Sequence, residues 1–145
     1  SKTSVHELRE AIRERLVGKR SDQLSILFQS FGFKYGVPAD ADFVFDARFL
    51  PNPYWEPELR PLTGRDEPVK AFLAGQTAVQ QFAADITRFL ERWIPEVESS
   101  NRSYLTVAIG CTGGQHRSVF LADTLTASFE DSYEQVHVRH TALPE

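Results

Sequence analysis

Apolar positions recur along this chain in two rhythms, and the changes of rhythm mark its elements. Val5, Leu8, Ile12 and Leu16 fall at helical spacing behind a Ser4-x-x-Glu7 capping box, and Gly18 closes the run. That spacing predicts a helix over 4–17. Residues 24–31, LSILFQSF, form an apolar run of strand length. Two glycines and a proline make 32–40 a loop, and 42–46, DFVFD, reads as a second buried strand ending on a carboxylate. Pro51, Pro53, Pro57 and Pro61 exclude a continuous helix or inner strand between 50 and 67. A long ordered loop is predicted there, pinned to the body by Tyr54 and Trp55.

The helical rhythm returns over 68–93 in Phe72, Ala78, Phe82, Ile86, Phe89, Leu90 and Trp93. Gly75 is expected to divide a short helix from a long one, and Pro95 to stop the second. A turn over 99–102 leads into YLTVAIG, 104–110, which has the continuous apolar character of a strand buried on both faces. A helix over 118–129 and an alternating strand over 135–140 complete the pattern. Strands separated by helices predict an α/β fold. Its centre is a mainly parallel, open sheet of about four strands, flanked by helices and carrying a long Pro-rich loop.

Composition narrows the class. A chain of 145 residues fits one domain with a core of its own. No run of about 18 apolar residues and no signal-peptide pattern occurs, which argues against a membrane span or export. The single cysteine excludes an internal disulfide and fits a reducing compartment such as the cytoplasm. A net charge of −4 argues against a surface coated for nucleic acid, although residues 1–20 hold six Lys/Arg against three Glu. The chain contains no methionine, hence no start residue, and reads as part of a longer gene product.

The chemistry concentrates in Cys111-Thr-Gly-Gly-Gln-His-Arg117-Ser118, between the third predicted strand and the helix that follows it. In an open parallel sheet, ligands sit beyond the carboxyl ends of the strands. Gly113 and Gly114 allow successive N–H groups to turn toward an anion, and the helix N-terminus adds partial positive charge. Arg117 brings a planar fork matched to phosphate oxygens, and Thr112 and Ser118 bring hydroxyl donors. The alternative to a ligand site is a tight strand–helix turn.

Two chemistries fit the loop. Cys111 and Arg117-Ser118 reproduce the Cys-x5-Arg-Ser/Thr spacing of cysteine-dependent phosphatases, in which a thiolate attacks phosphorus. Asp46 is then the candidate general acid. Gly110 stands where such enzymes usually carry a histidine, and binding is favoured over catalysis. Asp46 also suits binding, because a carboxylate near a phosphate site is served by a ligand with hydroxyls or a cation, such as an amino-sugar phosphate. A plainer role for Asp46 is as a cap or a partner of Arg48.

The segments SFGFKYGVPADADFVFDARFLPNPYW, LRPLTGRDEPVKAFL and NRSYLTVAIGCTGGQHRSVF resemble the C-terminal domain of the RapZ/YvcJ family of bacterial nucleotide-binding and RNase adapter proteins. The resemblance covers about residues 4–140. It implies a linker helix over 1–20 and a ligand-binding domain over 21–145. It also implies an N-terminal P-loop NTPase domain, for ATP or GTP, outside this fragment, because no Gly-x4-Gly-Lys-Ser/Thr occurs here. The implied role is regulatory: a homo-oligomeric adapter that presents small RNA to ribonuclease E and senses glucosamine-6-phosphate. Positions matching the family pocket are Asp46, Cys111, Thr112, Gly113, His116 and Arg117, with Gly114 and Ser118 completing the loop. Tyr54 stands where the enterobacterial sequence has a pocket histidine.

For RNA, the resemblance assigns Lys34 to a basic position, with Tyr35 and Gln115 in place of basic residues. The chain ends without the family's Lys/Arg-rich tail. His137, Arg139 and His140 alternate along the last strand, either as a basic rim or as an edge face that discourages aggregation. No Cys/His spacing matches a structural zinc site, so neither metal nor cofactor is expected in this fragment. Three readings follow: a non-enzymatic sensor and adapter, a cysteine-dependent phosphatase, and an oligomerisation module with an adventitious anion site.

Overall fold

The computed structural model describes residues 24–144, so the helix predicted over 4–17 and the division at residue 20 lie outside the described residues. The order of elements is β1 Ser25–Gly32, β2 Phe43–Asp46, α1 Glu67–Ala74, α2 Thr77–Ser99, β3 Tyr104–Cys111, α3 Arg117–Glu130 and β4 Val136–His140. Short 3-10 turns occupy Phe33–Tyr35 and Pro53–Trp55. The four strands form one sheet in the order β2-β3-β1-β4, and every pairing is parallel. The expected α/β fold is therefore present, with three helices flanking the sheet.

Parallel neighbours need crossovers, and their directions position the site. From β1 the chain passes beyond β3 to form β2, then returns through α1 and α2 to β3. Helix α3 next carries it over β1 to β4. Connections thus leave the carboxyl ends of β1 and β3 in opposite directions, which opens a crevice there. Gly32 pairs with Cys111 at that point.

The core lies between the sheet and its helices. Ile26 and Phe28 of β1 and Leu105, Val107 and Ile109 of β3 meet Ile86, Leu90 and Ile94 of α2 and Leu121, Leu125 and Phe129 of α3. At one edge, the Phe89 ring stands edge-on to both Phe43 and Phe45, which seats α2 on β2. Gly75 separates α1 from α2 as expected.

Two local expectations need correction. Pro95 does not stop α2, which continues to Ser99. A proline removes one helical hydrogen bond, here to the Glu91 carbonyl, while Leu90 and Ile94 before it are fully buried and the half-buried Val97 after it packs against the core. Ser99 Oγ donates to the Pro95 carbonyl at 2.9 Å, and the Ser100 amide to that of Glu96 at 3.2 Å. The turn comes one residue later, around Asn101 at φ 64°.

Nor do Tyr54 and Trp55 pin the Pro-rich loop to the body, since 46% and 71% of their surfaces are exposed. Leu50, Pro53 and Leu59 are buried instead, and the Gly64 amide donates to the Gln115 carbonyl at 2.8 Å. The two rings face the crevice above the strand ends rather than the helical layer.

Candidate anion-binding site

The loop between β3 and α3 is shaped by backbone contacts that exclude side chains. Gly114 adopts φ +76°, and a Cβ there would lie 2.5 Å from the Gly32 amide nitrogen. A Cβ on Gly32 would in turn lie 2.6 Å from the Gly113 carbonyl carbon, so loop and strand end touch backbone to backbone. On the other side, a Cβ on Gly64 would approach the His116 carbonyl to 2.4 Å. The loop is thus wedged between β1 and the Pro-rich segment.

A cavity of about 430 Å³ opens in front of it, in the size range of small-molecule sites. The loop contributes Cys111, Thr112, Gly113, Gln115, His116 and Arg117 to its walls. Lys34 comes from the turn after β1, and Asn52, Tyr54, Trp55 and Arg60 come from the Pro-rich loop. Of the residues singled out in the sequence, Gly114, Ser118 and Asp46 do not line it. Gly114 supplies the bend behind the wall, and Ser118 is fully buried beneath it.

His116 and Arg117 are the polar groups at the start of α3. Both are more than nine-tenths buried, yet His116 Nε2 and Arg117 Nε have no hydrogen-bond partner. Arg117 spends Nη1 on the carbonyls of Arg48, at 2.7 Å, and Leu50, at 3.0 Å. Burial lowers the pKa of its guanidinium, while Cys111 and the more distant charge of Asp46 work against that shift. An arginine so placed stays charged. Leaving a buried polar group unpaired costs roughly 1–3 kcal/mol, a cost that an anionic ligand oxygen relieves.

Cys111 is buried, with Sγ 3.2 Å from Ser118 Oγ and 3.5 Å from the Ser118 amide. The thiol therefore sits against the first turn of α3, the place where a helix favours negative charge. Position 110 has no room for a side chain: a Cβ there would meet the Phe31 ring at 2.4 Å. This packing is the physical reason a histidine does not precede the cysteine.

Asp46 closes β2 as the partner of Arg48. Its carboxylate accepts from Arg48 Nε at 3.0 Å, Nη2 at 2.8 Å and the backbone amide at 2.9 Å. The Arg48 side-chain bonds, against a smaller effect of burial, hold the Asp46 pKa below its usual value. Arg48 also stacks on the Phe33 ring at 3.8 Å.

The residues assigned to RNA are divided. Lys34 joins the cavity, with Nζ 5.2 Å from the centre of the Tyr35 ring. Tyr35 is exposed and borders a neighbouring depression with Gln29 and Phe31. Arg139 stands exposed on the edge strand β4, beside β1, and lines neither.

Residues 24–144 match the family described as the RapZ C-terminal domain. The chain belongs to that family. It is 60% identical over 137 residues, 94% of its length, to a nucleotide-binding protein of Pseudoalteromonas translucida. It is 57% identical over 143 residues to one of Shewanella amazonensis and 56% identical over 143 residues to one of Vibrio cholerae, in each case 99% of the chain. The chain spans about half the length of these relatives.

Within this RapZ-type domain, four contributors to the cavity were not among the site residues expected from the sequence: Asn52, Trp55, Arg60 and Gln115. The proline run signalled a functional loop, but the facing residues depend on its path. A polar chain running from the buried Ser30 to the surface was also not expected from the sequence. Ser30 Oγ lies 2.6 Å from His140 Nδ1, His140 Nε2 lies 3.0 Å from Asp123, and Arg65 Nε donates to Asp123 at 3.0 Å. The only trace in the sequence was a Gln-Ser pair inside an otherwise apolar strand. Among the described residues, no group of three His, Cys, Asp or Glu side chains is arranged to hold a metal ion. No described helix is long and apolar enough to cross a membrane.

Proposed function

We propose that this domain is a non-catalytic sensor of a phosphorylated sugar such as glucosamine-6-phosphate. The observation that carries the reading is the pair of buried, unpartnered atoms, His116 Nε2 and Arg117 Nε, at the start of α3. Phosphate oxygens meet these two groups and the amides around Gly113. The amine of the sugar exchanges with Arg48 for the Asp46 carboxylate. Family membership supports a regulatory, adapter-like role. In the full-length protein, a cytoplasmic homo-oligomer, the domain then presents small RNA to ribonuclease E, with Lys34, Tyr35 and Arg139 on the RNA side. Nucleotide binding, which the relatives' names state, is assigned to the half of those proteins that this chain does not cover.

Calorimetry on the wild type and on Arg117→Ala tests the sensor. Binding of glucosamine-6-phosphate by the wild type and its loss in the variant is the expected result. Failure of any sugar phosphate to bind or to raise the melting temperature at millimolar concentration leaves an adventitious anion site on an assembly module.

One observation favours a second reading, a cysteine-dependent phosphatase: the contact of Cys111 Sγ with the Ser118 amide. Turnover of an activated aryl phosphate that Cys111→Ser abolishes is its test, and no turnover by the wild type removes it.

A further inference from the structure

The charges around the cavity do not balance for one phosphate. Its lining contains Lys34, Arg60 and Arg117 and no carboxylate. A phosphate ester near neutral pH carries about −1.5 to −2 charges, which leaves at least one of the three cations unmatched. Asp46 does not supply the difference, because Arg48 already neutralises it.

The pairing of the arginines points to the same place. Arg48, Arg65, Arg88, Arg92 and Arg102 each contact a carboxylate. Among the described residues three arginines have no carboxylate partner, and two of them, Arg60 and Arg117, face one cavity. Arg60 is also held in place. Its Nε donates to the Tyr54 carbonyl at 2.8 Å, and its guanidinium carbon stacks 4.7 Å from the centre of the Tyr54 ring. Both anchors leave the two terminal nitrogens unbonded, which is the arrangement a planar fork needs to meet an oxyanion. Because Arg60 comes from the Pro-rich loop and Arg117 from the helix start, the two guanidinium groups approach the cavity from different walls.

We infer that the cavity contains a second anion subsite, built on Arg60, and that its preferred ligand is a sugar carrying two phosphate groups. This inference rests on the reading of the cavity as a sugar-phosphate site and specifies it. One phosphate occupies the loop at His116 and Arg117, and the second meets Arg60. A monophosphate fills the first subsite alone.

The test uses two sugars that differ only in the second phosphate, fructose-6-phosphate and fructose-1,6-bisphosphate, measured by calorimetry on the whole chain. The wild type is expected to bind the bisphosphate at least tenfold more tightly. Arg60→Ala is expected to abolish that advantage by lowering bisphosphate affinity far more than monophosphate affinity, and raised salt is expected to shrink the wild-type advantage. Arg60→Gln, which keeps the stem over Tyr54, is expected to behave as the alanine variant does. Equal affinity of the wild type for the two sugars overturns the inference, as does an advantage that survives in both variants. Absence of binding by either sugar and by glucosamine-6-phosphate refutes the underlying sugar-phosphate reading instead.

Discussion

Arg117 Nη1 reaches across 67 positions of sequence to the carbonyl of Leu50, at 3.0 Å, while the same side chain walls the cavity at the strand ends. One guanidinium thus both fastens the Pro-rich loop to the start of α3 and faces the cavity. Substitution of Arg117 by alanine is expected to lose ligand binding and also to destabilise the fold by about 3 kcal/mol, since two buried carbonyls lose a charged donor. Denaturant titration measures the second effect. Hydrogen exchange at residues 48–50 is expected to accelerate with it, and an unchanged stability contradicts the fastening role.

The two loop glycines are expected to differ. Gly114→Ala combines φ +76° with a Cβ 2.5 Å from the Gly32 amide, so a loss of roughly 2–4 kcal/mol or a failure to fold is predicted. A Cβ on Gly113 meets nothing within 4 Å, and Gly113→Ala is expected to cost less than about 1 kcal/mol. Because Gly113 walls the cavity, its variant is expected to weaken ligand binding while melting near the wild type.

Asp46 separates the amine from the phosphate. If the carboxylate recognises the amino group, Asp46→Asn lowers affinity for glucosamine-6-phosphate about tenfold, the worth of one charge-assisted hydrogen bond, and spares fructose-6-phosphate. A uniform loss for both sugars shows instead that Asp46 only positions Arg48 and the strand end.

Acid sensitivity is expected at Asp123. Burial works to raise its pKa, but hydrogen bonds from His140 and Arg65 outweigh it and hold the carboxyl below the ordinary aspartate value. A carboxylate with a depressed folded pKa stabilises the protein above its unfolded pKa, and that contribution disappears as pH falls through the folded pKa. Asp123→Asn is therefore expected to be less stable than the wild type by a constant amount above about pH 5. The gap is expected to narrow as pH falls below the ordinary aspartate pKa toward the lower folded one. A gap independent of pH down to the acid transition rules out the ionic contribution.

Pro95 offers a stabilising change. Alanine at this position restores an amide donor toward the Glu91 carbonyl inside a helix that already runs to Ser99. A gain of about 1 kcal/mol is expected, reduced from the full helical penalty of proline because the freer unfolded chain offsets part of it. Thermal unfolding of Pro95→Ala measures it.

The sequence by itself determined the element order and the location of the anion loop. Those depend on local causes: the period of Phe82, Ile86, Leu90 and Trp93, the continuous apolar run 104–110, the prolines of 51–61, and two glycines between a strand and a helix. Tertiary structure decided which distant groups meet. Arg60 and Lys34 turn toward the cavity because two loops converge on the ends of β1 and β3. His140 reaches Ser30 because β4 lies beside β1 in the sheet. Pro95 stays helical because the core contacts of Leu90, Ile94 and Val97 outweigh a single missing hydrogen bond. A local pattern fixes the backbone that a short segment prefers, whereas contacts over 60 to 110 residues arise only when the sheet order brings separate strand ends and loops together.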